Sequence, residues 1–400
     1  MFQKIIKRLF YKRHYWRDVG FDDLSKIYSN MFLRSFALSV ISVFVPVYLY
    51  KIGFSVVSIL TMYIFWFLFR IAFSPLVAKL ISIFGLKHTV ALATVAHIVY
   101  LTMLMTIQDL HWPLVSVALV GSLAAVTFLI AHEVNFSRVK DVENGGKELG
   151  FVQIFEKLGT VIGPLAGGLL ANYTDPRYTL GLAITILTGS LIPIFLSTEP
   201  NFTYKRVVFK RFPFKRHRRD FYSSAALTVE NTISTVVWPF FISITVFTSN
   251  TFAKLGLIAS LSTVVALVAI YSIGKLVDEE KGGMLLNVGA VSNSILHLFR
   301  PFVGGIGQVI GVGIVNEPVT TAYRLPYLKG RFDAADQVIG YRVLYFSVTD
   351  MLANVANALV WSLLLIIALI KEPIFSLKVS FFIASVASLL IMSQKFRSLR

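Results

Sequence analysis

Apolar runs of bilayer-crossing length recur from one end of this chain to the other, and they leave little choice of fold. Twelve can be read, at about 29–49, 55–78, 89–107, 114–137, 149–171, 179–197, 221–246, 255–276, 283–299, 307–325, 343–369 and 374–393. A helix of about 20 apolar residues spans the hydrocarbon layer. Inside that layer the backbone has no water to bond to, so each run must close its own hydrogen bonds as a helix. Only 15% of the residues are charged, against about 25% in soluble domains. The reading is an all-α polytopic membrane protein of twelve transmembrane helices.

The basic residues are unevenly placed. With both termini cytoplasmic, the connecting segments on that side hold 29 Lys and Arg and those on the other side hold 5, the positive-inside bias that orients membrane proteins. A net charge of +17 would also suit a nucleic-acid partner. The basic residues cluster beside apolar spans, however, so the expected partner is the lipid bilayer and not nucleic acid. Residues 1–28 carry Phe2, Ile5, Ile6, Leu9 and Phe10 at helical spacing, with Lys4, Lys7, Arg8 and Lys12 between them; this predicts an amphipathic helix lying against anionic headgroups on the cytoplasmic face. The basic linker 199–220 divides a first bundle, 29–198, from a second, 221–393, and 394–400 is a cytoplasmic tail. The start of the chain does not read as a secretory signal. There is no cysteine, no His/Asp/Glu cluster with metal-ligand spacing and no phosphate-binding loop. No metal, cofactor or enzymatic activity is therefore expected.

Residues 150–170 place glycine where it is costly. Gly150, Gly159, Gly163, Gly167 and Gly168 sit in an apolar run, with Pro164 in its middle. Gly159, Gly163 and Gly167 recur every four residues and form a smooth stripe that lets a neighbouring helix backbone approach. Pro164 removes a donor and kinks the helix. The combination suggests two bundles packed closely and able to rock.

The two halves echo each other. VFVPVYLY, with Pro46, ends the first span, and VVWPFFIS, with Pro239, ends the seventh; AKLISIFGLKH follows the second span and GKLVDEEKGGM the eighth. Glu133 of the fourth span has a counterpart in Glu317 of the tenth. Two six-helix repeats around a midplane site are the build of secondary transporters. The chain resembles the major facilitator superfamily over essentially its whole length. That family's loop signature survives in the first half as Leu80, Gly85 and Lys87, with Ala78, Ser82, Ile83 and Leu86 departing from it. In the second half it survives as Gly274, Leu276 and Asp278, with Glu279 at a basic position. The Gly150–Gly168 segment matches the six positions of the family's antiporter signature, which the resemblance associates with proton-driven efflux of drugs and metabolites. The arginine–glutamine–glycine signature that often accompanies proton-coupled efflux is absent from the fourth span. The resemblance implies that Asp278 approaches the start of the fifth span near Gly150 when the protein opens outward.

Ionisable residues inside the spans are expensive and usually face a cavity or a partner. His132 and Glu133 adjoin in the fourth span, with Phe136 one turn on. Glu230, Ser234 and Trp238 form a stripe beside Asn231 in the seventh. Glu317, Thr321 and Arg324 share a face of the tenth, beside Asn316 and Thr320. Asp350, Asn354 and Asn357 line one face of the eleventh. Together they suggest a wet central path. Proton coupling needs a carboxylate whose charge is tied to substrate occupancy. Glu230 is the first candidate, then Asp350, Glu133 and Glu317. The structural alternative pairs Glu317 with Arg324 and Glu133 with Arg138. Arg34, Arg70 and Arg342 read as snorkelling toward the cytoplasmic surface. Glu156 and Lys157 read as a gating network with Asp278 or Arg138.

The expected function is a monomeric secondary transporter of the plasma (inner) membrane, moving a small molecule by alternating access, in the mode of proton-coupled efflux. A proton-coupled sugar or nutrient importer of the same fold and a non-transporting membrane sensor are the alternatives. Asp278→Asn is expected to shift the conformational balance, read as changed labelling of single cysteines on the cytoplasmic side; unchanged labelling would count against it.

Overall fold

The computed structural model describes residues 21–42, 44–139, 145–196, 212–247, 249–277, 281–336, 338, 341–396 and 399, with side chains described for all of these except 21–28, 42, 135–155 and 275. Helices fill the described residues. α1 runs over Phe21–Ser42 and continues as Val45–Lys51, restarted by Pro46 in its first turn. The long helical stretch Val56–Met105 is two spans, α2 (56–84) and α3 (86–105), separated at Gly85 with φ 77° and ψ 177°. Only glycine takes that backbone without strain, which gives the loop signature's surviving glycine a local reason. α4 is Leu114–Val139, α5 Gly145–Tyr173 and α6 Pro176–Leu196.

α7 begins at Arg218, passes through a π turn at Ile233–Val237 and ends as Trp238–Thr245. Pro239 has no N–H for the carbonyl one turn earlier and its ring crowds that carbonyl, and the wider turn is the local accommodation. Such turns are frequent at functional sites. α8 is Thr251–Leu276, α9 Gly282–Phe299, α10 Ile306–Asp336, α11 Arg342–Ile370 and α12 Pro373–Leu390. α10 runs well past the expected end near 325, because Tyr327, Arg331 and Phe332 continue its buried face. Among the described residues, nine helical stretches are long and apolar enough to cross a membrane, with α2 and α3 counted together as one; α5 and α10, rich in glycine, proline and charge, are not among them. Large apolar side chains such as Leu76, Ile83, Ile192, Phe195, Val268, Leu359 and Ile370 are exposed on the outside of the bundle, as a lipid-facing surface requires.

The core is split in two along the helix axes. Toward the ends of the spans away from the termini lies a cluster including Phe44, Tyr48, Ile59, Tyr63, Phe67, Phe241, Trp361 and Phe381. Toward the termini lies another, with Val77, Ile130, Phe221, Tyr323, Tyr345 and Phe346. Between the two, helix after helix places polar side chains: Arg70 and Ser74 on α2, Asn316 and Glu317 on α10, Asp350 to Asn357 on α11, and Ser388 on α12. The polar belt thus sits at mid-depth.

The first six spans meet the last six chiefly where α5 packs along α8 and where α2 packs along α11. The glycine stripe does not make these contacts. A Cβ on Gly159 would meet the backbone of Phe32 and Phe36, one on Gly163 would overlap Ser39, and one on Gly167 would overlap the Val40 carbonyl. All three lie against α1, inside the same half. The seam belongs to Gly168: it faces Phe252 and Gly256 of α8, and Gly256 in turn faces the Pro164 carbonyl. Ser260 Oγ of α8 also accepts from Leu165 N at 3.1 Å. The sequence pattern identified a close-approach helix correctly but could not say which neighbour each glycine meets.

Adding a methyl at this seam puts carbon on backbone, which cannot move aside as a side chain can. Gly168→Ala and Gly256→Ala are expected to destabilise by about 1–3 kcal/mol, read as a lower Tm of the detergent-purified protein. Gly189→Ala, with nothing within 4 Å of its Cβ position, should leave Tm unchanged or raise it.

Candidate functional site

A cavity of about 740 Å³ lies between α1, α4 and α5 on one side and α7, α8, α10 and the turn that follows α9 on the other. Its wall mixes apolar side chains, Leu38, Phe128, Trp238, Ile242 and Leu255 among them, with a set of charges: His132, Glu133, Glu156, Lys157, Arg300, Glu317 and Arg324. That composition, apolar with a few placed polar groups, is the make-up of small-molecule sites.

Glu230 of α7 is the most completely answered of the buried carboxylates. It is 1% exposed. Its Oε1 accepts from Ser234 Oγ at 2.7 Å, from Asn293 Nδ2 at 3.0 Å and lies 3.0 Å from His297 Nε2; its Oε2 accepts from Tyr323 OH at 2.6 Å. Asn293 also donates to Ser388 Oγ of α12 at 2.9 Å. Ser234 accepts from Arg300 Nη1 at 3.0 Å, and Arg300 Nη2 donates to Asn316 Oδ1 at 2.6 Å. The Arg300 guanidinium also lies over the Trp238 ring, 5.1 Å from its centroid. A single hydroxyl therefore links a sealed carboxylate–imidazole pair to a guanidinium on the cavity wall.

The other charges pair across the two halves. Arg331 of α10 grips Glu133 of α4 through both oxygens, at 2.7 and 2.9 Å. Arg70 and Ser74 of α2 bind Asp350 of α11, and Ser347 donates to the Ser74 carbonyl. Lys157 of α5 lies 3.6 Å from Glu317 of α10. Within the first half, Glu156 bonds His132 at 3.1 Å. Toward the other ends of the spans the halves meet through rings, Phe44 with Phe252 and Tyr63 with Trp361, at 5.7 and 4.6 Å between centroids.

Several sequence-level pairings are corrected by this geometry. Glu317 takes Lys157, and Arg324 instead donates to Asn231 Oδ1 at 3.0 Å. Glu133 takes Arg331. Arg34 and Arg70 do not snorkel: Arg34 is 1% exposed, donating to Thr94 Oγ1 at 2.9 Å and to His97 Nδ1 at 2.7 Å, over the Phe128 ring. Arg342 pairs with Asp336 at 2.7 Å. Of the expected cavity residues, His132, Ser234, Trp238, Asn316 and Thr321 line the cavity, and Asn231 borders it through Arg324. Asn354 and Asn357 do not: they are fully buried and donate to the carbonyls of Asp350 and Ala353 in their own helix. Gly274 of α8 faces Leu325 at ordinary packing distance. Asp278 falls outside the described residues, and Phe136, Arg138 and Gly150 are described in their backbone alone. Sequence reading passed over Asn293, His297 and Arg300, though their i, i+4, i+7 spacing on α9 is the signal that picked out the stripe on α11. Among the described residues no group of three or more His, Asp or Glu is placed to hold a metal.

The family model of the Major Facilitator Superfamily matches residues 27–323. The chain belongs to that superfamily. The twelve-helix fold agrees with solved structures. A crystal structure of the E. coli fucose:proton symporter FucP superposes with a TM-score of 0.65 at 13% identity, covering 92% of this chain and 96% of that one. The nucleoside transporter NupG gives 0.65 at 12% identity, covering 93% and 98%. The human organic anion transporter MFSD10 gives 0.65 at 10% identity, covering 92% and 99%. At these identities the likeness is one of fold. A search of curated proteins gave no significant match.

The Glu133–Arg331 pair offers a direct test of the charge layer. Arg331→Gln leaves a buried carboxylate unanswered and is expected to cost about 3–5 kcal/mol, seen as a fall in Tm. The double variant Glu133→Gln/Arg331→Gln should recover most of that loss.

Proposed function

We propose that this protein is a secondary active transporter of the plasma membrane, working as a monomer by alternating access around the central cavity and driven by the proton gradient. The observation that carries the proposal is the Glu230–His297 pair. It is sealed from solvent, held by three further side chains, Ser234, Asn293 and Tyr323, and stands one hydroxyl from a cavity-lining guanidinium. A pair of this kind exchanges one proton with its surroundings: either an imidazole donates to a carboxylate, or one more proton neutralises the carboxylate or charges the ring. A change of charge in a water-poor site acts strongly on its neighbours. Ser234 and Arg300 deliver that change to the cavity. The inter-half pairs Glu133–Arg331, Arg70–Asp350 and Lys157–Glu317 suit a latch that opens on one face and closes as the bundles rock.

Two directions are open, each with its own support. The glycine–proline segment of α5 supports efflux by proton antiport, through the motif's association within the superfamily. The Glu230–Ser234–Arg300 chain supports co-transport, because a proton on Glu230 frees the positive charge of Arg300 for the cargo. Proteoliposomes with an imposed pH difference separate the two by the direction of flux. In either case Glu230→Gln is expected to abolish gradient-driven accumulation while keeping substrate-for-substrate exchange. Full pH-driven accumulation by this variant would overturn the assignment of the proton to Glu230.

A further inference from the structure

The charges on the cavity wall are unequally satisfied. Every lining carboxylate has a basic partner: Glu133 has Arg331, Glu156 has His132 and Glu317 has Lys157. Among the described residues, two lining guanidiniums bond no carboxylate. Among the described residues, Arg300 bonds only the neutral oxygens of Ser234 and Asn316, and Arg324 bonds only the neutral oxygen of Asn231. Arg300 is 1% exposed, and its Nε has no hydrogen-bond partner among the described residues. A third guanidinium, Arg34, stands behind the wall on Phe128, also held only by neutral groups. Guanidinium forks are matched to carboxylate and phosphate geometry, and a charge-assisted bond to them is about twice as strong as a neutral one. Amide and hydroxyl oxygens hold such a group in place without cancelling its charge.

We propose that the cargo is a small organic anion, an acidic group carried on an apolar body, with the acidic group bound between Arg300 and Arg324 and the body lying along Trp238, Ile242 and Leu255. The proposal rests on the cavity being the transport site, as argued above, and it deepens that reading. It also selects between the two directions. While Glu230 is ionised it offsets the Arg300 charge from one hydroxyl away. When Glu230 gains a proton that offset disappears, and the cavity holds an anion more tightly. Proton and anion then favour each other's binding, the reciprocal coupling that co-transport requires.

The test is equilibrium binding to the full-length protein in detergent, with no gradient present. The probes are benzoate and phenyl phosphate, with benzylamine and benzyl alcohol as matched cationic and neutral controls. The acids, or one of them, should bind and raise Tm while the amine and the alcohol do not. Arg324→Gln, at the cavity-exposed position, and Arg300→Gln should each weaken acid binding by about tenfold or more, the loss of one charge-assisted contact. Glu230→Gln, a permanently uncharged Glu230, should tighten it. That gain is one a merely structural role for Glu230 would not give. The proposal is overturned if the amine or alcohol binds as well as the acids, if neither acid binds, if Arg324→Gln, folded by circular dichroism, keeps full affinity, or if Glu230→Gln weakens binding. Because no gradient is used, these results stand apart from the flux measurements. Proton-driven flux of a cationic or neutral cargo would leave the transporter reading intact and sink only this one.

Discussion

A charge in the middle of a bilayer has no water to turn to, and this constraint organises the interior. The buried charged groups of the spans, Arg34, Glu133, Glu230, Arg300, Arg331 and Asp350 among them, would be intolerable singly; each is instead set against other polar side chains, between two apolar clusters. Glu230 illustrates how far this goes, with four side chains converging on two oxygens. The apolar clusters give the bundle its cohesion. The polar belt gives it a reason to hold one particular register of helices, because a slipped helix would strand a charge.

The belt also divides into two kinds of contact. Glu230, His297, Asn293, Tyr323 and Ser388 all belong to the last six spans, so that network can survive a relative movement of the halves. Glu133–Arg331, Arg70–Asp350 and Lys157–Glu317 each join one half to the other, and must break if the halves part. The two sets are thus built from the same residue types, one kept within a single half and the other laid across the boundary between the halves.

Much of the architecture was legible in the residues, because hydrocarbon thickness and the need for helical hydrogen bonds act on every span alike. Glu230, Ser234 and Trp238 were legible too, since their i, i+4, i+8 spacing fixes a shared face whatever the neighbours. Partners were not. Glu133 finds Arg331 nearly 200 positions along the chain, and no local pattern contains that distance; the nearby Arg138 was only the closest basic residue in sequence. Arg300 escaped notice because Pro301 marks a helix end, and a residue at a helix end reads as surface. In the folded protein that end turns inward onto Trp238. The stripe on α11 shows the opposite error: Asn354 and Asn357 share a face, yet α11 turns it into the packed interior, where the amides bond their own helix.

The α5–α8 contact has a mechanical consequence. Where Gly168 meets Gly256, backbone rests on backbone, and neither helix offers a side chain to interlock with the other. Interdigitated side chains resist sliding because each must change rotamer to pass its neighbour; two bare faces have no such teeth. Little side-chain interlocking therefore opposes sliding along this line, and the side-chain contacts that hold one half against the other lie elsewhere. The contacts that would have to be given up for the halves to part are of two kinds, ion pairs in the polar belt and ring contacts such as Tyr63 with Trp361, and the first kind alone responds to a change of charge.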